Sequence, residues 1–138
     1  MSHDDGRNEQ QQMARKHILV VNGAPEFLDF VRILFQEEGY NVTTTNFVPR
    51  TFDIVEALHP DLVIVDLVAG QQAGWSLLTE LHDAVTTRGI PLLLTSTAQG
   101  LLARAQDEQA RYGTHAVIAK PMDIDELLKS THEIIGDA

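Results

Sequence analysis

The chain has 138 residues, of which 43% are hydrophobic, and a formal net charge of −10. That is the size of one domain with enough apolar residues for a core, and no run approaches the roughly 18 apolar residues that would cross a bilayer. The absence of cysteine excludes disulfides, thiolate catalysis and Cys-ligated metals and fits a reducing compartment. Arg7, Arg15 and Lys16 balance Asp4, Asp5 and Glu9 within residues 1–16, so the whole −10 falls on residues 17–138. Such a surface repels phosphate backbones and argues against nucleic-acid binding. It suits solubility, or docking of a basic partner.

Residues 1–16, with Glu9-Gln10-Gln11-Gln12, are polar and lack a signal-peptide core. They are expected to form a flexible tail ahead of a domain at 17–138, and the default expectation is a cytoplasmic protein. His17-Ile18-Leu19-Val20-Val21 is a short β-branched run stopped by Asn22-Gly23, which predicts a buried first strand. Pro25 suits a first helical turn, and Phe27, Phe30, Val31, Leu34 and Phe35 give an apolar stripe that Gly39 ends. Asn41 to Thr45 predicts a second, more polar strand nearer an edge. Phe52, Ile54, Val55 and Leu58 predict a second helix ended before Pro60.

Leu62-Val63-Ile64-Val65-Asp66 is apolar on both faces until its last residue, as strands covered by helices on both sides are. Val68 to Ala73 is expected as a loop. Trp75, Leu77, Leu78, Leu81 and Val85 mark a third helix, with Trp75 at its entry expected to pack inward more than to mark a partner contact. Ile90 to Leu94 predicts a fourth strand, followed by Thr95-Ser96-Thr97. A fourth helix is expected from Ala98 to Tyr112, a fifth strand from Ala116 to Ala119, and a last helix capped by Asp123.

Five strands alternating with five helices favour parallel pairing with right-handed crossovers in a three-layer doubly wound α/β fold. Ligand sites of such sheets lie at the C-terminal ends of the strands. Asn22, Gly23, Asp66, Ser96 and Lys120 are thereby expected along one edge.

Taken in order and spacing, Ile18-Leu19-Val20-Val21-Asn22-Gly23, Asp61 to Asp66, Gly74-Trp75, Pro91 to Ala98 and Ala119-Lys120-Pro121 resemble the landmarks of response-regulator receiver domains. Gly74 follows Asp66 by eight residues, and Lys120 is followed by proline. The resemblance implies a flavodoxin-like (βα)5 sheet in the order 2-1-3-4-5. It implies that Asp66 is the phosphate acceptor, that Ser96, or Thr97 if the register slips by one, is the switching hydroxyl, and that Lys120 contacts the acyl phosphate, its bond to Pro121 being cis. It further implies a histidine kinase or phosphotransfer protein as phosphate source. With no output domain read after the last helix, the signal is expected to leave through an unknown downstream protein. The fourth helix, fifth strand and fifth helix form the usual face by resemblance, and a homodimer stays open.

Three departures matter. The family's acidic pair is replaced by Asn22-Gly23, so a hard ion such as Mg²⁺ keeps only Asp66 as a carboxylate ligand and is expected to bind weakly if at all. Gly70 stands where a proline commonly follows the acceptor. Val117 occupies the position of the switch aromatic. Two readings therefore stay open: a single-domain receiver phosphorylated on Asp66, and a pseudo-receiver that keeps the fold as an interaction surface and uses Asp66 and Lys120 as a structural ion pair.

Nothing in the sequence supports a conventional enzyme, since no dinucleotide fingerprint, Walker loop or nucleophile elbow occurs. The histidines (His3, His17, His59, His82, His115 and His132) lack zinc-like spacing and read as structural or surface residues. A flavin carrier on the same architecture is disfavoured, because the loop after the first strand lacks a Ser/Thr-rich phosphate cradle.

Overall fold

The computed structural model describes residues 15–46, 50–68, 72–108, 114–120 and 123–138. The segment up to residue 14, Gly70, residues 109–113 at the expected end of the fourth helix, Pro121 with its peptide bond, and the side chain of His115 lie outside those residues. The elements are β1 (His17–Val21), α1 (Pro25–Glu37), β2 (Asn41–Thr45), α2 (Thr51–Leu58), β3 (Leu62–Asp66), α3 (Ala73–Asp83), β4 (Leu92–Ser96), α4 (Gln99–Asp107), β5 (Thr114–Ala119) and α5 (Ile124–Ile135). All strand pairs are parallel, and the sheet order is β2-β1-β3-β4-β5. This is the flavodoxin-like arrangement the resemblance implies.

Alternation along each strand divides the core in two. Ile18, Val20, Leu62, Ile64, Leu93 and Ile118 pack under α1 and α5 with Leu28, Val31, Phe35 and Leu127. Leu19, Val21, Val63, Val65, Leu92 and Leu94 pack on the other face under α2, α3 and α4 with Val55, Leu78 and Ala105. Cover on both sides is why β1 and β3 are almost continuously apolar. Each fully buried aliphatic side chain contributes about 1.5–3 kcal/mol. β2 lies at an edge with all five residues half-buried, which suits its threonines.

Proline at the first turn of α1 supplies a preset φ. Gly39, at φ +93°, reverses the chain after α1, and His59 at φ +51° closes α2 in the left-handed region. Asp123 caps α5, its carboxylate accepting from the Asp125 N–H at 2.9 Å. The C-terminus is clasped to the α1–β2 turn, because the Tyr40 hydroxyl donates to the Gly136 carbonyl at 2.7 Å and its ring meets Phe35 edge-on. Burial, then the Asp137 and Glu38 carboxylates, push the Tyr40 phenol up, which keeps it a donor.

Several expectations need correction. Phe30 is 48% exposed, because the buried row of α1 is Leu28, Val31 and Phe35 at helical spacing, and residue 30 falls off it. Val85 lies past the end of α3 and is 82% exposed. Strand β4 runs to Ser96, two residues beyond its expected end, and β5 begins two residues early at Thr114. Trp75 is buried in the core at the entry of α3, with the Arg104 guanidinium 4.1 Å from its ring centroid.

Candidate functional site

The register fixes which side chains can meet. Val21 pairs with Val65, Asp66 with Thr95, and Ser96 with Ala119. Asn22 extends the pairing of β1 with β2, its N–H bonding the Thr45 carbonyl at 3.1 Å, and it follows Val21, whose β3 partner Val65 precedes Asp66. By period-two alternation, Asn22, Asp66, Thr95 and Lys120 share the α1/α5 face, whereas Ser96 and Val117 share the face under α3 and α4.

The contacts follow that division. Lys120 Nζ lies 2.9 Å from Asp66 Oδ1, and the Thr95 hydroxyl donates to the same oxygen at 2.9 Å. The two charged side chains are 15% and 12% exposed, so the pair sits at the sheet's rim and is largely shielded. The Lys120 ammonium also rests 4.1 Å above the centroid of Phe27, which holds its stem against α1. A cavity of about 430 Å³ opens beside it between α1 and α5, with Phe30, Val31, Ile124 and Leu127 as walls and Thr97 and Lys120 at its polar end.

Ser96 is placed differently from Thr95. It is fully buried, its hydroxyl donates to the Leu67 carbonyl at 2.6 Å, and it accepts from the Ala98 N–H at 3.1 Å. Thr97 is exposed and lines the cavity. Val117 packs against the core on the Ser96 side. The hydroxyl on Asp66 is thus Thr95, to which the sequence reading gave no role. Its signal was the register of β4, one residue off in effect, and a sequence alone does not fix that.

Asn22 is buried, and its Oδ1 accepts from the Ala24 N–H at 2.9 Å. Its Nδ2 is buried without a hydrogen-bond partner. Gly23 is exposed, and a Cβ added there would meet nothing within 4 Å.

A sequence model described as the response regulator receiver domain matches residues 18–132. The chain belongs to that family. The match to this receiver domain extends to curated relatives. The polar-differentiation response regulator DivK of Brucella ovis is 23% identical over 124 residues, covering 89% of this chain and 98% of that protein. An uncharacterized 14.6 kDa protein of Leptolyngbya boryana is 26% identical over 121 residues, covering 86% and 89%. Among solved structures, the chemotaxis protein CheY4 of Vibrio cholerae shares the fold at a TM-score of 0.76 and 19% identity, covering 88% of this chain and 99% of that one. Receiver domains serve two-component signalling, interacting with histidine kinases or phosphotransfer proteins and with downstream targets. No helix among the described residues is long and apolar enough to cross a membrane.

Receiver domains in general bind Mg²⁺ in an acidic pocket. The residues of this receiver domain do not fit that ion. Mg²⁺ takes octahedral oxygen ligands, carboxylates first. Among the described residues no three of His, Cys, Asp and Glu cluster. Asp66 Oδ1 is already held by an ammonium, Asn22 Oδ1 by a backbone N–H, and the remaining atom of Asn22 is a donor, so Asp66 Oδ2 is the one carboxylate oxygen left among these residues, too few for the ion's usual acidic set.

Proposed function

We propose that this receiver domain accepts a phosphoryl group on Asp66 from a histidine kinase or phosphotransfer protein and signals by protein contact. The observation that carries the reading is the unequal use of the Asp66 carboxylate. Oδ1 is held by Lys120 and Thr95, while Oδ2 accepts no hydrogen bond from a described residue. An anchored carboxylate with one uncommitted oxygen at the sheet's rim is arranged as a nucleophile. The Oδ2 lone pair attacks phosphorus, the P–N bond of a phosphohistidine breaks, and the imidazole leaves with that electron pair and takes a proton from water. Lys120 offsets the charge that builds on the phosphoryl oxygens. Thr95 is the hydroxyl we assign to the resting acceptor, and Ser96 and Val117 form the layer behind it. Exposed Phe30 and Ile124, beside the cavity at Lys120, support signalling by contact, since apolar surface of this kind marks protein interaction sites.

Intact-mass measurement after incubation with a small acyl phosphate tests this. Wild type should gain one phosphoryl mass and Asp66→Asn none. Unlabelled wild type, or a labelled variant, would refute it. The second reading, a phosphorylation-independent pseudo-receiver, is favoured by one observation: the site retains a single carboxylate. Unlabelled wild type under every condition would leave that reading standing.

A further inference from the structure

We propose that the pocket works without a divalent metal, and that the Asn22 carboxamide replaces the ion with a neutral hydrogen-bond donor to the oxyanion carried by Asp66. The inference rests on Asp66 as acceptor. It begins from an orphan. Asn22 is 2% exposed and its Nδ2 has no hydrogen-bond partner. Buried polar groups are nearly always paired, so an orphaned donor calls for a reason. The amide orientation is fixed by the bond from the Ala24 N–H to Oδ1. What remains is a donor, which repels a cation and attracts an anion.

The orphan's position supplies the reason. Asn22 follows Val21 and Asp66 follows Val65, the last pair of the β1–β3 ladder, so period-two alternation puts both on one face at adjoining strand ends. Neighbouring parallel strands lie about 4.8 Å apart, which brings a carboxamide within reach of a phosphoryl group on the adjacent carboxylate. Three groups would then surround that phosphoryl: the Lys120 ammonium, the Thr95 hydroxyl and the Asn22 amide. One of them is charged and two are neutral donors. A fixed donor aimed at developing negative charge does part of what a metal does, at no cost in extra carboxylates.

Packing does not impose the missing acid. A side chain at Gly23 would meet nothing within 4 Å, and its φ is not positive. The metal site can therefore be rebuilt, and the inference tested, in the same protein.

Wild type, Asn22→Ala and Asn22→Asp/Gly23→Asp are labelled with acetyl phosphate in EDTA and in excess Mg²⁺, and each is titrated with Mg²⁺ by calorimetry without phosphodonor. Asn22→Ala removes the donor without adding a charge near Asp66, and urea unfolding checks that it stays folded; the double variant keeps an acceptor for the Ala24 N–H. Wild type should label at the same rate in both buffers and show no Mg²⁺ binding. In EDTA, Asn22→Ala should label about 10²-fold more slowly, the loss expected for one oxyanion donor. Mg²⁺ should restore labelling in the double variant, together with a calorimetric binding signal; damage to folding would not be reversed by a metal. Wild-type labelling that requires Mg²⁺, wild-type Mg²⁺ binding, or Asn22→Ala labelling at the wild-type rate in EDTA would each overturn the inference. Unlabelled wild type in both buffers would instead remove the acceptor reading and the donor role with it, while calorimetry still decides the metal half.

Discussion

Replacing Lys120 by Met removes the ammonium, with both its ion pair to Asp66 and its contact over the Phe27 ring, so the ion pair is isolated by a double-variant cycle with Asp66→Asn. At 2.9 Å and an effective dielectric near 20, the gross attraction to Asp66 is about 6 kcal/mol. Desolvation offsets more than half of that for a shielded pair. Breaking a fully buried pair costs about 3–5 kcal/mol, and an exposed one about 0–1. With side chains 15% and 12% exposed, this pair lies nearer the buried limit, so Lys120→Met should cost about 2–3 kcal/mol. The assay is urea unfolding of wild type, Lys120→Met, Asp66→Asn and the double variant. The double variant should be less destabilised than the sum of the singles by about 1 kcal/mol or more, since each single strands the other's partner. High salt should erode the coupling only slightly, because the pair is shielded. Single-variant costs that add within about 0.5 kcal/mol would show that acid and base do not act on one another.

Thr95→Val should slow Asp66 labelling at a stability cost near 1 kcal/mol, whereas Ser96→Ala strands the buried Leu67 carbonyl and should cost about 1–3 kcal/mol; unfolding combined with intact-mass kinetics separates the two. Gly39→Ala should destabilise by about 1–2 kcal/mol, because an alanine at φ +93° is strained and its Cβ would lie 3.3 Å from that of Ala138; thermal unfolding reads it. Burial lowers the His17 pKa below 6.5, with Asp61 opposing in part. The neutral ring is therefore favoured by folding, and its contribution is present above pH 6.5 and lost as pH falls through the folded value. The stability difference between wild type and His17→Gln should shrink over that window, and a constant difference would refute the assignment.

The strands were legible because two-sided burial writes itself into β1 and β3 as unbroken apolar runs, whereas their order came from the resemblance to receiver domains, since the alternation favours parallel pairing without fixing which strands are neighbours. Asp66 and Lys120 were legible as polar residues ending such runs. Thr95 was not, because its role depends on the register of β4 against β3, and Thr95-Ser96-Thr97 offers three hydroxyls with no local mark to choose among them. Phe30 misled for a related reason: hydrophobicity names candidates for a buried row, but the phase of the helix selects Leu28 in its place. Nor does the sequence show that the Asn22 carboxamide spends its oxygen on the Ala24 N–H, and that detail turns a weakened metal ligand into an orphaned donor.

Because successive residues of β4 serve opposite sides of the sheet, the Asp66–Lys120 pair lies on one side of a wall whose other side holds Ser96 and Val117. The peptide of Leu67 bridges it. Its N–H is bound to the Thr95 carbonyl at 2.8 Å and its own carbonyl to the Ser96 hydroxyl at 2.6 Å. On the proposed acceptor reading, a strain applied at Asp66 would have a backbone route through this peptide to the layer that holds Ser96 and Val117.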